Sequence, residues 1–328
     1  MIFVTGATGH VGNVLVSELS KRGELVRALA LPGEAIDHIK KPGVEIVRGD
    51  VRDKDLLIRY CKGIDAVFHL AAIISILPVN KKEIFEVNVG GVKNILEACK
   101  RNHVDRLVYT SSIHAFAEPE PGSEISESLP FNPTKTSGFY GKSKAEAALN
   151  VMAAIQSGLN AVIICPTGII GPYDYKLSEM GNLVRLYLKD RLRMGIDGSF
   201  DFVDVRDIVE GELKAAKELD KGEVLILGGQ TLTIRKFLEL LHEISGKIKI
   251  RHFLPKTAAS ILSLFSSLYF IVSKKKATLT PYAIHALTRN YKYSYDKAKN
   301  TIGYRPRNIK DSLVDYFNWL KSENILSV

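Results

Sequence analysis

Short apolar runs and longer amphipathic ones alternate through the first half of the chain. The runs "IFVT" (2–5), "LVRALA" (25–30), "VEIVRG" (44–49), "DAVFHLAA" (65–72), "RLVYTSS" (106–112) and "NAVIICP" (160–166) have strand length. Between them, Val11, Val14, Leu15 and Leu19 fall on one helix face, and the same period runs over 84–101 and 143–156. Strands that alternate with helices need right-handed crossovers, which lay helices over both faces of a parallel sheet. The pattern predicts a doubly wound α/β parallel sheet over residues 1–165. Past Pro166 the rhythm loosens into Gly/Pro turns at "TGIIGPYDY", a basic helix over 181–193, short strands near 200–205 and 223–227, and helices over 233–245 and 310–321. Residues 166–328 therefore read as a smaller, less regular lobe, with chain interchange between the two lobes allowed.

One stretch of that lobe stands apart. "TAASILSLFSSLYFIV" (257–272) is apolar for sixteen residues, short of the roughly 20 that a spanning helix needs. Its serines share one face, opposite Ile261, Leu264, Phe265, Leu268 and Val272. Two readings stand: a helix capping a pocket, or peripheral membrane contact through 257–276 with Lys274, Lys275 and Lys276 on headgroups.

Composition narrows the classes. With 46% hydrophobic against 25% charged residues, the chain can bury a core. Three scattered cysteines, Cys61, Cys99 and Cys165, fit neither a disulfide framework nor metal-ligand spacing, so no metal and a reducing, cytoplasmic compartment are expected. "MIFVTGATGHVG" enters an apolar run and a glycine turn directly, so no signal peptide is expected. The net charge of +9 favours anionic ligands in general. No basic stripe interleaved with aromatics accompanies it, so nucleic acid is not an expected partner.

Two short stretches carry candidate chemistry. "VTGATGHVG" sets Gly6, Gly9 and Gly12 after the first strand and at the start of the first helix, with His10 and Val11 inside the turn. Glycines there admit positive φ and close backbone approach, and the helix amino end favours a pyrophosphate, so a dinucleotide is expected. The spacing is G-x-x-G-x-x-G rather than the commoner G-x-G-x-x-G. In "FYGKSKAEA" (139–147), Tyr140 and Lys144 stand four apart and share a helix face. Moving a phenol from a pKa of about 10 to about 7 takes roughly 4 kcal/mol. An ammonium about 4 Å away, at an effective dielectric near 20, supplies about that much. The plain alternative is a solvated helix start.

Seven motifs in order then resemble the extended short-chain dehydrogenase/reductases of the NAD-dependent epimerase/dehydratase superfamily: "TGATGHVG", "GDVRD" (49–53), "HLAA" (69–72), "YTSS" (109–112), "YGKSK" (140–144), "CPTGIIGP" (165–172) and "FVDVRD" (202–207). The tail, with "YSYDKAKNTIGYRPR" (293–307) and "YFNWL" (316–320), is similar to the dihydroflavonol-reductase and 3β-hydroxysteroid-dehydrogenase branch or its sugar-epimerase-like neighbours. The resemblance implies a Rossmann fold binding NAD or NADP over 1–165 and a substrate-binding lobe over 166–328. It implies that Tyr140 exchanges a proton with a small-molecule substrate, that Lys144 holds the nicotinamide ribose, and that Ser112 polarises the reacting carbonyl. It places Asp50 and Val51 at the adenine, Leu70, Ala71 and Ala72 beside the cofactor, and Pro166, Thr167 and Gly168 around the nicotinamide. His114 could face the substrate, while Asp204 and Asp207 fix a loop around the site.

Cofactor preference is less clear from these residues. The second strand ends in Leu29, Ala30 and Leu31, with neither the acid that marks NAD nor an arginine for a 2′-phosphate. The missing acid and the basic surface lean towards NADP, with NAD the alternative. Ser112 is followed by Ile113 and His114 rather than by an Asp-Glu pair, which disfavours dehydration. Hydride transfer on a carbonyl or secondary alcohol of a hydrophobic substrate is the main expectation. The alternatives are epimerisation of a nucleotide sugar, with Arg185, Arg191 and Arg193 pairing its diphosphate, and a cofactor-sensing regulator without catalysis. Oligomeric state stays open, a homodimer being one option.

Overall fold

The computed structural model describes residues 1–74, 80–263 and 280–326. Its first half contains β1 (Ile2–Thr5), α1 (His10–Lys21), β2 (Val26–Ala30), β3 (Val44–Arg48), α2 (Lys54–Tyr60), β4 (Ala66–His69), α3 (Lys81–Phe85), α4 (Gly91–Arg101), β5 (Arg106–Thr110), β6 (Glu124–Ile125), α5 (Gly138–Gln156) and β7 (Ala161–Pro166). The second half continues through β8 (Gly168–Ile170), α6 (Glu179–Leu188), β9 (Gly195–Ile196), β10 (Ser199–Asp204), α7 (Val205–Glu218), β11 (Val224–Leu227), β12 (Gln230–Thr233), α8 (Ile234–Ser245) and β13 (Phe253–Leu254). After helical residues 256–263, here α9, come α10 (Pro281–Thr288), β14 (Lys292–Tyr293), α11 (Asp296–Ile302) and α12 (Ile309–Ser322).

Seven parallel strands form the main sheet in the order β11-β7-β5-β4-β1-β2-β3. A strand covered on both faces has no polar alternation, and β7 is buried at every position. One core layer packs α2, α4 and α5 on the sheet, through Leu57, Ile95 and Val151 among others. The opposite layer packs α1, α7 and α11, through Leu15, Ile208 and Ala298. This is the doubly wound Rossmann-like arrangement expected from the alternating pattern. Strand order reverses between β1 and β4, which opens a crevice at their carboxyl ends.

The 223–227 run, expected in the smaller lobe, instead forms the edge of this sheet as β11 beside β7, with Leu225 paired to Ile164. The helix expected over 84–101 is also interrupted, by a π-helical turn at Glu86–Gly90 between α3 and α4. Gly91 lies under Val51, where a Cβ would come within 2.8 Å of Val51 Cγ2, so α4 must start close against the loop after β3.

The second half contributes a three-stranded sheet, β12-β10-β8, and two short pairs, β13-β9 and β14-β6. Phe202 of β10 stacks on Phe237 of α8 at 4.4 Å between centroids. Among the described residues no helix is long and apolar enough to cross a membrane. The stretch 257–276 is described only as far as 263, where Ile261 and Leu262 are exposed; the rest of that expected helix lies outside the described residues.

Asp204 and Asp207, expected to be structural, join α7 to the carboxyl-terminal segments. Asp204 is buried, caps α7 by accepting from Arg206 N, and is held by Arg206 Nε at 2.9 Å and Nη2 at 2.7 Å. Arg307 reaches Asp207 at 3.0 Å, and Arg206 also meets Asp315 of α12 at 2.8 Å. Burial alone would raise the Asp204 pKa, but the hydrogen bonds from Arg206 and Ser312 hold it below its ordinary range. A folded pKa below the unfolded one stabilises the fold at neutral pH, and that contribution drains away as pH falls through the folded value. Asp204→Asn removes the buried one of the two carboxylate partners of Arg206, leaving Asp315, and is expected to cost about 2 kcal/mol in urea unfolding at neutral pH. An unchanged midpoint would show that the cluster does not hold α7.

Candidate active site

Helix α5 starts at Gly138, which has φ +70° and lies under the Tyr282 ring, where a Cβ would come within 2.6 Å. Two residues on, Tyr140 begins the buried face of the helix, and Lys144 follows one turn later; they are 7% and 3% exposed. The sharing of one face expected from their spacing is therefore realised, in the interior rather than in solvent. Lys144 Nζ donates to the Thr110 carbonyl at the end of β5, at 2.8 Å, and sits 5.2 Å from the Tyr109 ring centroid. Ser112, two residues past β5, accepts from His114 N at 3.3 Å and lies near enough to the Tyr140 phenol to oppose its rise in pKa. Ser112, Tyr140 and Lys144 thus converge at the carboxyl end of one strand.

Their electrostatics differ from the expectation. Burial raises the phenol of Tyr140 to about 12, with the Ser112 hydrogen bond opposing the rise. Burial likewise lowers Lys144 to about 8, with the Glu212 carboxyl opposing the fall. Desolvation sets the direction of the phenol's shift, and the Lys144 ammonium points at the Thr110 carbonyl.

A residue missed in the sequence holds the site together. Asn88, in the π-helical turn, accepts from Ile73 N at 2.7 Å and donates to Ile73 O and to Ser143 Oγ, each at about 3 Å. Ser143 in turn donates to the Tyr140 carbonyl at 2.8 Å. The segment after β4 is thereby clasped to the helix that carries Tyr140. The available signal was a lone amide between Val87 and Val89, and a π-turn often marks such a place.

The glycine turn suits a dinucleotide. Gly6 has φ +70°, and a Cβ on it would come 2.7 Å from Ala71 N, so β1 and the start of the segment after β4 meet only through glycine. No side chain caps the amino end of α1, which leaves its first amides facing the crevice. Gly9 is the cap residue and Gly12 packs α1 on the turn. His10 turns its ring to the Pro172 carbonyl at 3.0 Å, and Val11 is part-buried. Leu70, Ala71 and Ala72 are part-buried along the β4 edge.

The other expected cofactor residues divide. The Asp50 carboxylate is bound by Arg52 at 2.6 Å and accepts from Arg52 N, and Val51 turns its side chain into the core against Gly91. The Thr167 hydroxyl donates to Asp201 at 2.7 Å, and Gly168 is packed on β10. Those two therefore face β10 with their side-chain surface, while Pro166 ends β7 in the core. Glu34, another unforeseen residue, folds back from beyond β2. Its Oε2 accepts from Thr8 Oγ1 at 2.6 Å and from Leu31 N at 3.1 Å, and its Oε1 from Lys176 Nζ at 2.6 Å. Burial opposes ionisation there, but the Lys176 and Thr8 hydrogen bonds hold the carboxyl below its ordinary range. Arg48 donates to the carbonyls of Leu31 and Glu34, which fixes the loop in that place.

On the substrate side, His114 packs edge-on to Tyr140 at 6.2 Å, stacks with Phe200 at 6.0 Å and meets Tyr282 at 5.7 Å. Burial lowers its pKa to about 4, so it is neutral. A small void of about 20 Å³, room for a water molecule, lies there, lined by Ile113, Phe116, Ile125, Tyr282, Tyr291 and Tyr293 among others. Glu118 and His285, paired at 2.7 Å, close it and fix α10, and the Ser137 hydroxyl meets His285 at 2.9 Å. Arg191 and Arg193 are exposed and Arg185 bonds Asn182; none lines this cavity.

The chain has clear similarities to known proteins. A family model described as "NAD dependent epimerase/dehydratase family" matches residues 2–228. Sterol demethylase protein B of Methylococcus capsulatus is 28% identical over 98% of this chain and 99% of its own length. The 3beta-hydroxysteroid-dehydrogenase/decarboxylase isoform 1 of Arabidopsis thaliana is 31% identical over 98% of this chain and 80% of the relative. The crystal structure of gox2253 superposes with a TM-score of 0.85 at 26% identity, covering 98% of both chains. MoeE5, solved in complex with UDP-glucuronic acid and NAD, shares the fold at a TM-score of 0.78 and 22% identity, over 98% of this chain and 99% of that one.

Asn88→Ala would strand both backbone groups of Ile73, at an expected cost of about 2 kcal/mol. Faster amide exchange at Ile73 than in the parent chain is the accompanying sign; equal exchange would dismiss the clasp.

Proposed function

We infer that Ser112, Tyr140 and Lys144 carry the chemistry of this chain, which belongs to the NAD dependent epimerase/dehydratase family. It is an NAD(P)-dependent oxidoreductase of the extended short-chain type. The observation that carries the assignment of residues is the burial of Tyr140 and Lys144 one helix turn apart, with Lys144 Nζ on the Thr110 carbonyl and Ser112 two residues beyond it, at the carboxyl end of β5. A nicotinamide dinucleotide held at the glycine turn would supply the hydride acceptor or donor. In the oxidising direction the C–H hydrogen of a secondary alcohol leaves as hydride, and its O–H proton passes to Tyr140, which must first be ionised. Burial works against that ionisation, so Tyr140 needs positive charge beside it at the moment of reaction. Lys144 provides a fixed part of that charge at the carboxyl end of β5, and Ser112 donates to the substrate oxygen.

The substrate class is read from the aromatic side chains around His114, which packs beside Tyr140. Aromatic rings and aliphatic side chains, with a neutral histidine, suit a rigid apolar molecule with one hydroxyl or ketone near its end. The relatives named for sterol demethylation and 3β-hydroxysteroid dehydrogenation support a sterol-like alcohol. A nucleotide sugar would need cations at its diphosphate; of the three arginines considered for that role, Arg191 and Arg193 are exposed and Arg185 bonds Asn182.

The cofactor preference turns towards NAD. The acid missing from the end of β2 is supplied from further along the loop by Glu34, which reaches Thr8 in the glycine turn. There its carboxylate can accept from a ribose 2′-hydroxyl and would repel a 2′-phosphate. This reading favours NAD where the sequence alone leaned to NADP, although Lys176 offsets part of the Glu34 charge.

Tyr140→Phe should lower oxidation of a 3β-hydroxysterol about 10³-fold, followed by nicotinamide absorbance, with dinucleotide affinity kept. Full activity in that variant would refute the assignment. Calorimetric titration should find NADH bound at least about tenfold tighter than NADPH, with Glu34→Gln narrowing the gap. NADPH binding as tightly as NADH would remove the role given to Glu34.

A further inference from the structure

Thr110, the last residue of β5, meets both faces of the main sheet. Its carbonyl accepts from Lys144 Nζ at 2.8 Å, and its hydroxyl donates to Glu212 Oε1 at 2.6 Å. Lys144 stands on α5, in one helix layer; Glu212 stands on α7, in the other, among Ile208, Val209, Leu213 and Ala215. Glu212 is fully buried, and its Oε2 has no hydrogen-bond partner. An apolar side chain would fill that position at no electrostatic cost. A carboxyl there costs several kcal/mol unless an opposite charge compensates it.

The groups facing Lys144 leave one compensating acid. From β5 comes the Tyr109 ring, from β4 His69, from β7 Cys165, from its own helix Tyr140, and from α7 Glu212. Burial pushes the Tyr109 phenol and the Cys165 thiol well up, so both are neutral, and lowers His69 to about 3. Burial raises Glu212 to about 7, with the Thr110 hydrogen bond and the attraction of Lys144 opposing the rise. It therefore ionises near neutrality, unlike its neighbours in this shell.

We propose that Glu212 is a positioning residue for Lys144, acting across the sheet through Thr110: its carboxylate anchors the strand end whose carbonyl holds the ammonium and supplies the buried counter-charge. As pH falls through about 7, Glu212 takes up a proton and the ammonium loses that partner. The functional weight of this coupling rests on the reading of Tyr140 and Lys144 as the proton-handling pair; the coupling itself is measurable without substrate.

The test is a pH titration of the Lys144 ε-carbon resonance in the full chain, labelled at lysine and assigned by its absence in Lys144→Met. In Glu212→Gln, which keeps an acceptor for Thr110 and removes the charge, the midpoint should fall by about one unit. Thr110→Val, which keeps the volume and cuts the link, should shift it the same way. A midpoint equal to the parent's in Glu212→Gln, at unchanged melting temperature, overturns the proposal. Should Glu212→Gln not fold, an unshifted midpoint in Thr110→Val overturns it equally. A merely structural carboxyl would alter melting and leave the midpoint in place. If instead the functional reading is wrong, Lys144→Met will keep turnover while the titration difference remains.

Discussion

An ammonium buried at the carboxyl edge of a parallel sheet is the constraint on which the site depends. Lys144 is 3% exposed, and a charge removed from water needs a full set of partners. The Thr110 carbonyl, the Tyr109 ring and the carboxyl of Glu212 provide them from three directions. Each is fixed by the sheet or by a helix packed on it, so the position of the cation follows from the fold. Tyr140 inherits its place from the same helix face, and Ser112 from the strand that holds the cation.

Much of this was legible in the sequence. Short apolar runs located all seven main strands, the last of them (223–227) in the wrong lobe, and the 3.6 period located helices between them, because both faces of such a sheet must be apolar. Tyr140 and Lys144 were singled out by helical spacing, and Ser112 by the family resemblance. The departures have physical causes. Val224–Leu227 reads like any short apolar strand, and nothing local says that it pairs with β7 rather than within its own lobe. Glu34 and Glu212 act through contacts 26 and 102 residues distant in sequence, where no periodic signal exists. The acidified phenol was an over-reach of a Coulomb estimate. It placed the two groups at a chosen separation and ignored desolvation, which sets the direction of the Tyr140 shift.

The substrate wall illustrates the same division. His114 was singled out by its distance from Ser112 alone, whereas Tyr282 and His285 arrive from α10, far along the chain. Glu118 joins them there; burial opposes its ionisation, but hydrogen bonds from His285 and Ser137 hold its pKa near about 2. That carboxylate fixes α10 against the start of α5, so the apolar cavity is shaped by a polar lock at its rim.

The late arrival of β11 has a consequence for how the molecule is made. While the ribosome is still extending the nascent chain beyond Pro166, β7 has one free backbone edge, composed almost wholly of Val, Ile, Ala and Cys. An unpaired apolar edge of that kind invites pairing with another chain. Completion of the sheet must wait for some sixty further residues, and that interval is where a chaperone would have the most to protect.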